Sequence, residues 1–327
     1  MYQTLSERFP ELGTSEILAG LVPPPHFAHS TFANYVPDIN QPTQLAAVEN
    51  LKAFAEQISS KPRLFSRNRS GSKGRYLDGG FGVGKTHLLT ALWYEVDLPK
   101  VYGTFVEFTN LVGLLGFNET VELLSQSKLL CIDEFELDDP GDTVLMSTLM
   151  MRLVEKGVFL AATSNTLPDR LGEERFAADD FQREIQGLAA HFENIRIDGE
   201  DYRHRGIPIA NDPFTNEQLE EIAKKSSVTS IDEFKNLSRH LSQIHQSKYG
   251  VLVAHLETVC VKNLETITDQ ANALRWVVLA DRLYDSDTRF YSSGVPLDKL
   301  FAPELLAGGY RKKYRRALSR LIALSQM

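Results

Sequence analysis

The stretch Gly79-Gly80-Phe81-Gly82-Val83-Gly84-Lys85-Thr86-His87 constrains this chain more than any other, because it satisfies G-x-x-x-x-G-K-[ST]. Its flanks fit as well. Tyr76-Leu77-Asp78 reads as a short strand entering the loop, and His87 to Tyr94 as an apolar-faced helix leaving it. Glycines let backbone N–H groups turn inward around phosphates, and the following helix adds the positive end of its dipole. The pattern therefore predicts an ATP-binding loop over 79–87, with Lys85 reaching the β- and γ-phosphates and Thr86 holding Mg2+. A glycine-rich turn that merely precedes Lys-Thr is the alternative; the strand before and the helix after favour nucleotide.

Two later apolar runs complete the expected site. Leu129-Leu130-Cys131-Ile132-Asp133-Glu134 reads as a buried parallel strand whose carboxyl end opens where ligands bind in such sheets. Asp133 is expected on Mg2+ and Glu134 on the water attacking the γ-phosphate. Val158 to Asn165 is a second buried run ending in small polar residues. In P-loop ATPases with an additional strand it lies between the other two, which places Asn165 as a sensor of the γ-phosphate; the plainer reading is an Asn starting the turn before Pro168. Downstream, Arg175 and Arg183 are the two candidates for an arginine projecting into a neighbouring subunit's site, and each could equally be a surface charge.

At 327 residues the chain exceeds the usual single-core size, so a second, smaller domain is expected. The reading is an extended, proline-rich arm over 1–45, a nucleotide-binding core over 46–209 and a C-terminal accessory domain over 210–327. Phe27, Phe32 and Tyr35 in the arm read as anchors to the core rather than as an adenine pocket. Gln44 to Ile58 reads as an amphipathic helix, Val101 to Phe108 as a strand, and 142–154 as a helix whose Met146, Leu149, Met150 and Leu153 fill the core. His191 to Asp198 reads as an edge-side strand. Asn216 to Lys225, Ile231 to Ile244 and Asp269 to Tyr284 read as helices, the last carrying Arg275, and Tyr249 to Val253 as a strand.

A net charge of −8 argues against a protein that coats nucleic acid; the basic run Tyr310 to Arg316 reads as a solvated helix face or one docking the acidic remainder of the chain, with contact to nucleic-acid phosphates or, peripherally, to anionic lipid as the less favoured alternative. Two cysteines, Cys131 and Cys260, give neither a disulfide framework nor a metal site, which suits a reducing cytosol. The start lacks a charged-then-apolar signal pattern, and no apolar run is long enough to span a bilayer.

Strand, phosphate loop, Asp-Glu strand, Thr-Ser-Asn strand and following arginines, in that order, are similar to the AAA+ ATPases. LVPPPHFA, LLCIDEFELDD, LAATSNTLPDRL, RIDGEDYRHR and LADRLYD narrow the resemblance to the ZapE family of division-associated ATPases, akin to the mitochondrial lactation-elevated-protein ATPases. The second strand departs from that family, reading VYGTFVEFTN in place of a histidine-rich phrase, and Phe181-Gln182-Arg183 is the nearest match to its Leu-Gln-Arg. The resemblance implies an α/β AAA+ core with a parallel sheet and a mostly helical C-terminal domain. It further implies ATP hydrolysis coupled to action on protein partners, and assembly with copies of itself. Two rivals stand beside it: a helicase-loader-like ATPase, and a nucleotide-gated scaffold with little turnover.

Overall fold

The computed structural model describes residues 4–11, 13, 18–60, 72–80, 82–135, 140–164, 191–199, 210–225 and 228–326. Two compact units divide the chain: Thr14–His204, and Met1–Gly13 together with Arg205–Met327.

The first unit is a parallel sheet with helices packed on it. In chain order it comprises α1 (Pro42–Ser59), β1 (Gly74–Gly79), α2 (Lys85–Glu95), β2 (Lys100–Thr104), α3 (Phe105–Leu115), α4 (Phe117–Leu124), β3 (Leu129–Asp133), α5 (Pro140–Glu155), β4 (Phe159–Ser164) and β5 (Phe192–Ile197). The strand order is β2-β3-β4-β1-β5, and every pairing is parallel. The strand after α5 thus lies between the phosphate-loop strand and the Asp-Glu strand, as the additional-strand reading expects. β5 closes one edge. Strands β1 and β3 are buried along their whole length; β3 reads as a near-continuous apolar run, whereas β1 buries Arg75 and Asp78, which pair with Glu193 and Arg196. Two apolar layers cover the sheet. Met146, Leu149, Met150 and Leu153 of α5 fill one of them with Phe105, Phe108 and Phe135, and Leu51, Phe54, Leu88, Leu89 and Leu92 fill the other.

The expected strand over Val101 to Phe108 is only half a strand. Thr104 Oγ1 accepts from Glu107 N (3.3 Å), and Glu107 Oε2 accepts from Thr104 N (2.7 Å). This reciprocal capping box satisfies two N–H groups that a helix start leaves open, so the backbone turns helical at Phe105 despite its β-rich composition.

The second unit is mostly helical, and its helices surround a three-stranded parallel sheet that the sequence did not announce. It comprises α6 (Asn216–Lys225), β6 (Thr229–Glu233), α7 (Phe234–Gln243), α8 (Tyr249–Val253), β7 (Thr258–Leu264), α9 (Gln270–Asp285), β8 (Arg289–Gly294), α10 (Pro303–Ala307) and α11 (Arg311–Ser325), with strand order β6-β7-β8. Two expectations are corrected here. Ile231-Asp232-Glu233 ends a strand instead of starting a helix, and Tyr249 to Val253 is a short helix instead of a strand. In the latter, burial falls at Tyr249, Leu252 and Val253, a spacing of three and four that only a helix turns to one side. Tyr249 also donates its hydroxyl to Leu241 O at 2.6 Å.

The first residues of the chain belong to this unit. Leu5 is buried in its core, and the Asp232 carboxylate accepts from Leu5 N (2.8 Å), Ser6 N (2.9 Å) and Ser6 Oγ (2.7 Å). Arg8 Nη1 donates to Leu252 O at 2.8 Å, and the His240 Nε2–H donates to Arg8 O at 2.7 Å. Cys131 and Cys260 are free and buried, one in each unit.

Candidate functional site

The loop that leaves β1 turns on glycines. Gly82 and Gly84 hold φ of 82° and 88°, a left-handed region that L side chains avoid, and α2 begins at the next residue, Lys85. Left-handed glycines running into a helix N-terminus are the backbone pattern from which anion cradles are built. Lys85 is nearly buried, and its Nζ donates to Gly79 O (2.9 Å) and Gly80 O (2.5 Å), so the ammonium sits within the cradle.

Parallel register brings the other groups to the same end of the sheet. Ile132 lies opposite Ala162, so Asp133 and Thr163 follow side by side at the carboxyl ends of β3 and β4. Thr86 Oγ1 donates to Asp133 Oδ1 at 3.3 Å, and Thr163 Oγ1 makes a short hydrogen bond to the same oxygen. Tyr102, on the neighbouring strand β2, donates to Asp133 Oδ2 at 2.8 Å. Burial first, and then the Asp133 carboxylate, push the Tyr102 phenol well above its ordinary pKa, so it remains a donor. Glu134 N donates to both Asp133 Oδ1 and Thr163 Oγ1 at 3.1 Å, and Glu134 itself holds φ of 53°. A left-handed non-glycine residue costs roughly 1 kcal/mol or more, and here two acceptors on its N–H hold it in place.

The arm reaches this loop. Tyr35 donates its hydroxyl to Val83 O at 2.9 Å, and its ring covers Gly84, where an added Cβ would meet Tyr35 Cε2 at 2.5 Å. His87 turns the same way, with Nε2–H donating to Thr31 O at 3.0 Å and its ring 5.6 Å from that of Tyr35. Phe32 is buried against the core, as an anchor should be. On the other side of the loop strand, Arg196 of β5 donates to the buried Asp78 (2.7 Å) and to Asp198 (2.8 Å). Those two hydrogen bonds, Asp78 first, raise the Arg196 pKa.

Of the residues expected in the site, Gly79, Gly80, Gly82, Val83, Gly84, Lys85, Thr86, His87, Asp133 and Glu134 are described, and they converge. The Val83 side chain, however, belongs to the core. Phe81, Asn165, Arg175 and Arg183 lie outside the described residues. Sequence reasoning missed Tyr102, Thr163 and the seat of Tyr35. Thr163 had a signal in the Thr-Ser-Asn strand end, whereas Tyr102 had none, because its role depends on the register of β2 beside β3. Arg275 sits on α9 in the other unit, half-buried.

A model of the AFG1-like ATPases matches residues 13–223 and 214–327, nearly the whole chain. The chain belongs to the AFG1-like ATPase family. Within reach of this family member, the cell division protein ZapE of Escherichia coli strain K12 is 26% identical over 294 residues, covering 76% of this chain and 77% of that protein. Lactation elevated protein 1 homolog B of Danio rerio is 23% identical over 320 residues, 80% of this chain and 62% of that one. The replicative helicase loader DnaI of Bacillus subtilis is 28% identical over 189 residues, 51% of this chain and 57% of its own. The first unit carries the parallel α/β sheet with a phosphate-loop motif after β1 that is expected of this AFG1-like chain.

No helix among the described residues is long and apolar enough to cross a membrane. Nor do they include a cluster of three or more His, Cys, Asp or Glu side chains fit to hold a metal unaided. The oxygens offered beside the loop are one hydroxyl and one carboxylate, Thr86 and Asp133, hard donors of the kind Mg2+ takes when phosphates and water supply the rest.

Proposed function

We propose that this AFG1-like chain is a Mg2+-dependent ATPase whose turnover alternates it between states that hold a protein partner differently. The observation that carries the reading is the meeting of Thr86 and Asp133 beside the glycine loop, with Glu134 next in the chain. In this reading the Lys85 ammonium moves from the Gly79 and Gly80 carbonyls onto the β- and γ-phosphates, and Thr86 and Asp133 hold the ion. Mg2+ supplies charge neutralisation between the phosphates when bound. Glu134 takes the proton of the attacking water, and its backbone, fixed by Asp133 and Thr163, aims the carboxylate. Asn165 senses the γ-phosphate, and Arg175 or Arg183 completes the site of a neighbouring copy.

Partner action rests on the relatives: ZapE is named for cell division, and its similarity spans three quarters of this chain. DnaI is named a helicase loader, but its similarity spans about half of this chain, so it supports the shared nucleotide chemistry more than a shared task. The test is steady-state ATP hydrolysis across protein concentrations, with nucleotide binding measured in parallel by a fluorescent ATP analogue. Glu134→Gln should bind ATP and lose at least about a hundredfold in turnover, and Arg175→Ala or Arg183→Ala should bind and not hydrolyse. Turnover by Glu134→Gln at the wild-type rate refutes the base assignment. Activity that is absent or independent of concentration, with ATP held by a stable monomer, replaces the motor with a nucleotide-gated scaffold.

A further inference from the structure

Helix α11 carries six basic residues between 311 and 320, and their surroundings differ by face. Arg316 and Arg320 both reach Asp281 on α9, Arg316 Nη2 at 2.8 Å and Arg320 through a short contact, so their charge is answered inside the unit. Lys313 Nζ lies over the Tyr310 ring, 5.5 Å from its centroid. Arg311 and Arg315, one turn apart, are exposed, and neither makes an ion pair among the described residues. The helix also begins at Arg311 with no side-chain cap and no acid in its first turn, so Arg311 opposes the helix dipole.

Both arginines line a groove of about 640 Å3 together with Lys299 and the accessible apolar residues Pro303, Leu306 and Ala307. Asp298 is the one carboxylate along it. That volume falls in the range of about 300–1,000 Å3 typical of ligand sites. Accessible apolar atoms of Pro303, Leu306 and Ala307 beside three cations fit a ligand with an apolar side chain flanked by carboxylates, and the planar guanidinium fork pairs a carboxylate bidentately. The shape disfavours other polyanions. Phe301 is only 2% exposed and offers no ring face for a base to stack on. A membrane surface takes large protruding apolar side chains, and none of Phe301, Leu305 and Leu306 is exposed.

We propose that this groove, between α10 and the first turns of α11, takes a short acidic peptide segment bearing an apolar side chain, presented by a partner protein. It is a docking site in the C-terminal unit, built without any residue of the nucleotide site.

The experiment uses the full chain and fluorescence anisotropy. The probe is a fluorescein-labelled peptide mixture with Leu, Ile, Met and Phe randomised at the centre and glutamates on both sides. Its counterpart has glutamines in place of the glutamates, and phosphatidylserine vesicles and oligo-deoxythymidine serve as competing polyanions. We expect saturable binding of the glutamate mixture, about tenfold weaker binding of the glutamine mixture, and about tenfold loss in Arg311→Gln/Arg315→Gln. ATP hydrolysis and melting temperature should be unchanged in that variant, which separates failure of the groove from failure of the nucleotide site. Arg311→Lys/Arg315→Lys should recover only part of the affinity, since lysine keeps the charge and loses the fork. The proposal is overturned by no saturable binding of the glutamate mixture, by equal binding of the glutamine mixture, or by full affinity in the double glutamine variant. It is also overturned if that variant loses only vesicle or oligonucleotide binding, which would make the patch a general anion surface.

Discussion

Tyr102→Phe isolates the least expected contact of the nucleotide site. The substitution keeps the ring, which is 2% exposed and packed in the apolar layer that holds Leu88, Leu89 and Leu92, and removes only the donor to Asp133 Oδ2. A hydrogen bond to a charged acceptor is worth about 1.5–3 kcal/mol, and Asp133, at 7% exposed, has little access to replacement water. Three donors remain on Oδ1, from Thr163, Thr86 and Glu134, while Oδ2 loses its hydroxyl partner. We therefore expect a stability loss of about 1–2 kcal/mol in the nucleotide-free protein, a fall of roughly 2–8 °C in the melting of the first unit. Loss of an outer partner of a metal-binding carboxylate also weakens divalent-ion affinity by about tenfold. Thermal unfolding reads the first effect. The second is read by Mn2+ paramagnetic resonance in the presence of a non-hydrolysable ATP analogue. Wild-type behaviour in both would reduce Tyr102 to packing. A lowered melting temperature with unchanged ion affinity would refute the claim that its hydroxyl positions Asp133 for a metal.

Three further expectations follow from local geometry. Burial alone would raise the Asp281 carboxyl, but the neighbouring Arg316 and Arg320 outweigh it and hold its pKa below the ordinary value. A depressed folded pKa means that the stability is present above the unfolded value and is lost as pH falls through the folded one; Asp281→Asn should flatten the acid limb of urea midpoints below about pH 4. The same variant should cost about 2 kcal/mol at neutral pH, a figure discounted because the two arginines are 28% and 22% exposed. Burial pushes the Cys260 thiol up to about 12 and Cys131 higher still, so neither should react with a thiol reagent until its own unit opens; urea-dependent labelling of Cys131→Ser and Cys260→Ser then reads the two units separately. Gly84→Ala places a Cβ against Tyr35 in a left-handed backbone, and should lose nucleotide binding at least about tenfold while lowering stability by about 1–2 kcal/mol; adding Tyr35→Ala relieves the clash but not the strain.

The legible parts of the sequence were those whose physics is local. Glycine spacing before Lys85-Thr86 dictates the loop whatever packs on it, and four apolar residues ending in Asp133-Glu134 dictate a buried strand with its carboxylates at the open end. The stripe of Met146, Leu149, Met150 and Leu153 was legible for the same reason. The rest was settled by partners distant in sequence. Tyr102 meets Asp133 only because β2 pairs with β3 in one register, in which Tyr102 lies opposite Cys131. The helix start at Phe105 rests on a pair, Thr104 and Glu107, that composition conceals. Strand β6 is written in polar residues, Thr229-Ser230-Ile231-Asp232-Glu233, which read as strand only once Asp232 has donors to accept from.

Those donors come from the start of the chain, and this gives the N-terminal segment a different meaning from that of an arm. Asp232 is 3% exposed and receives two backbone N–H groups and a hydroxyl from Leu5 and Ser6. A buried carboxylate stripped of those donors would face the full cost of desolvation, several kcal/mol, so the segment over 4–8 is part of what makes the second unit foldable. The chain must therefore complete the nucleotide-binding unit between two pieces of the other. Compactness places the joins between the two units near Gly13 and Arg205. Proline and charge mark where a chain runs extended; they do not mark which core claims it. That is decided by where a buried polar group finds its partners, and in this protein Asp232 finds them more than two hundred residues upstream.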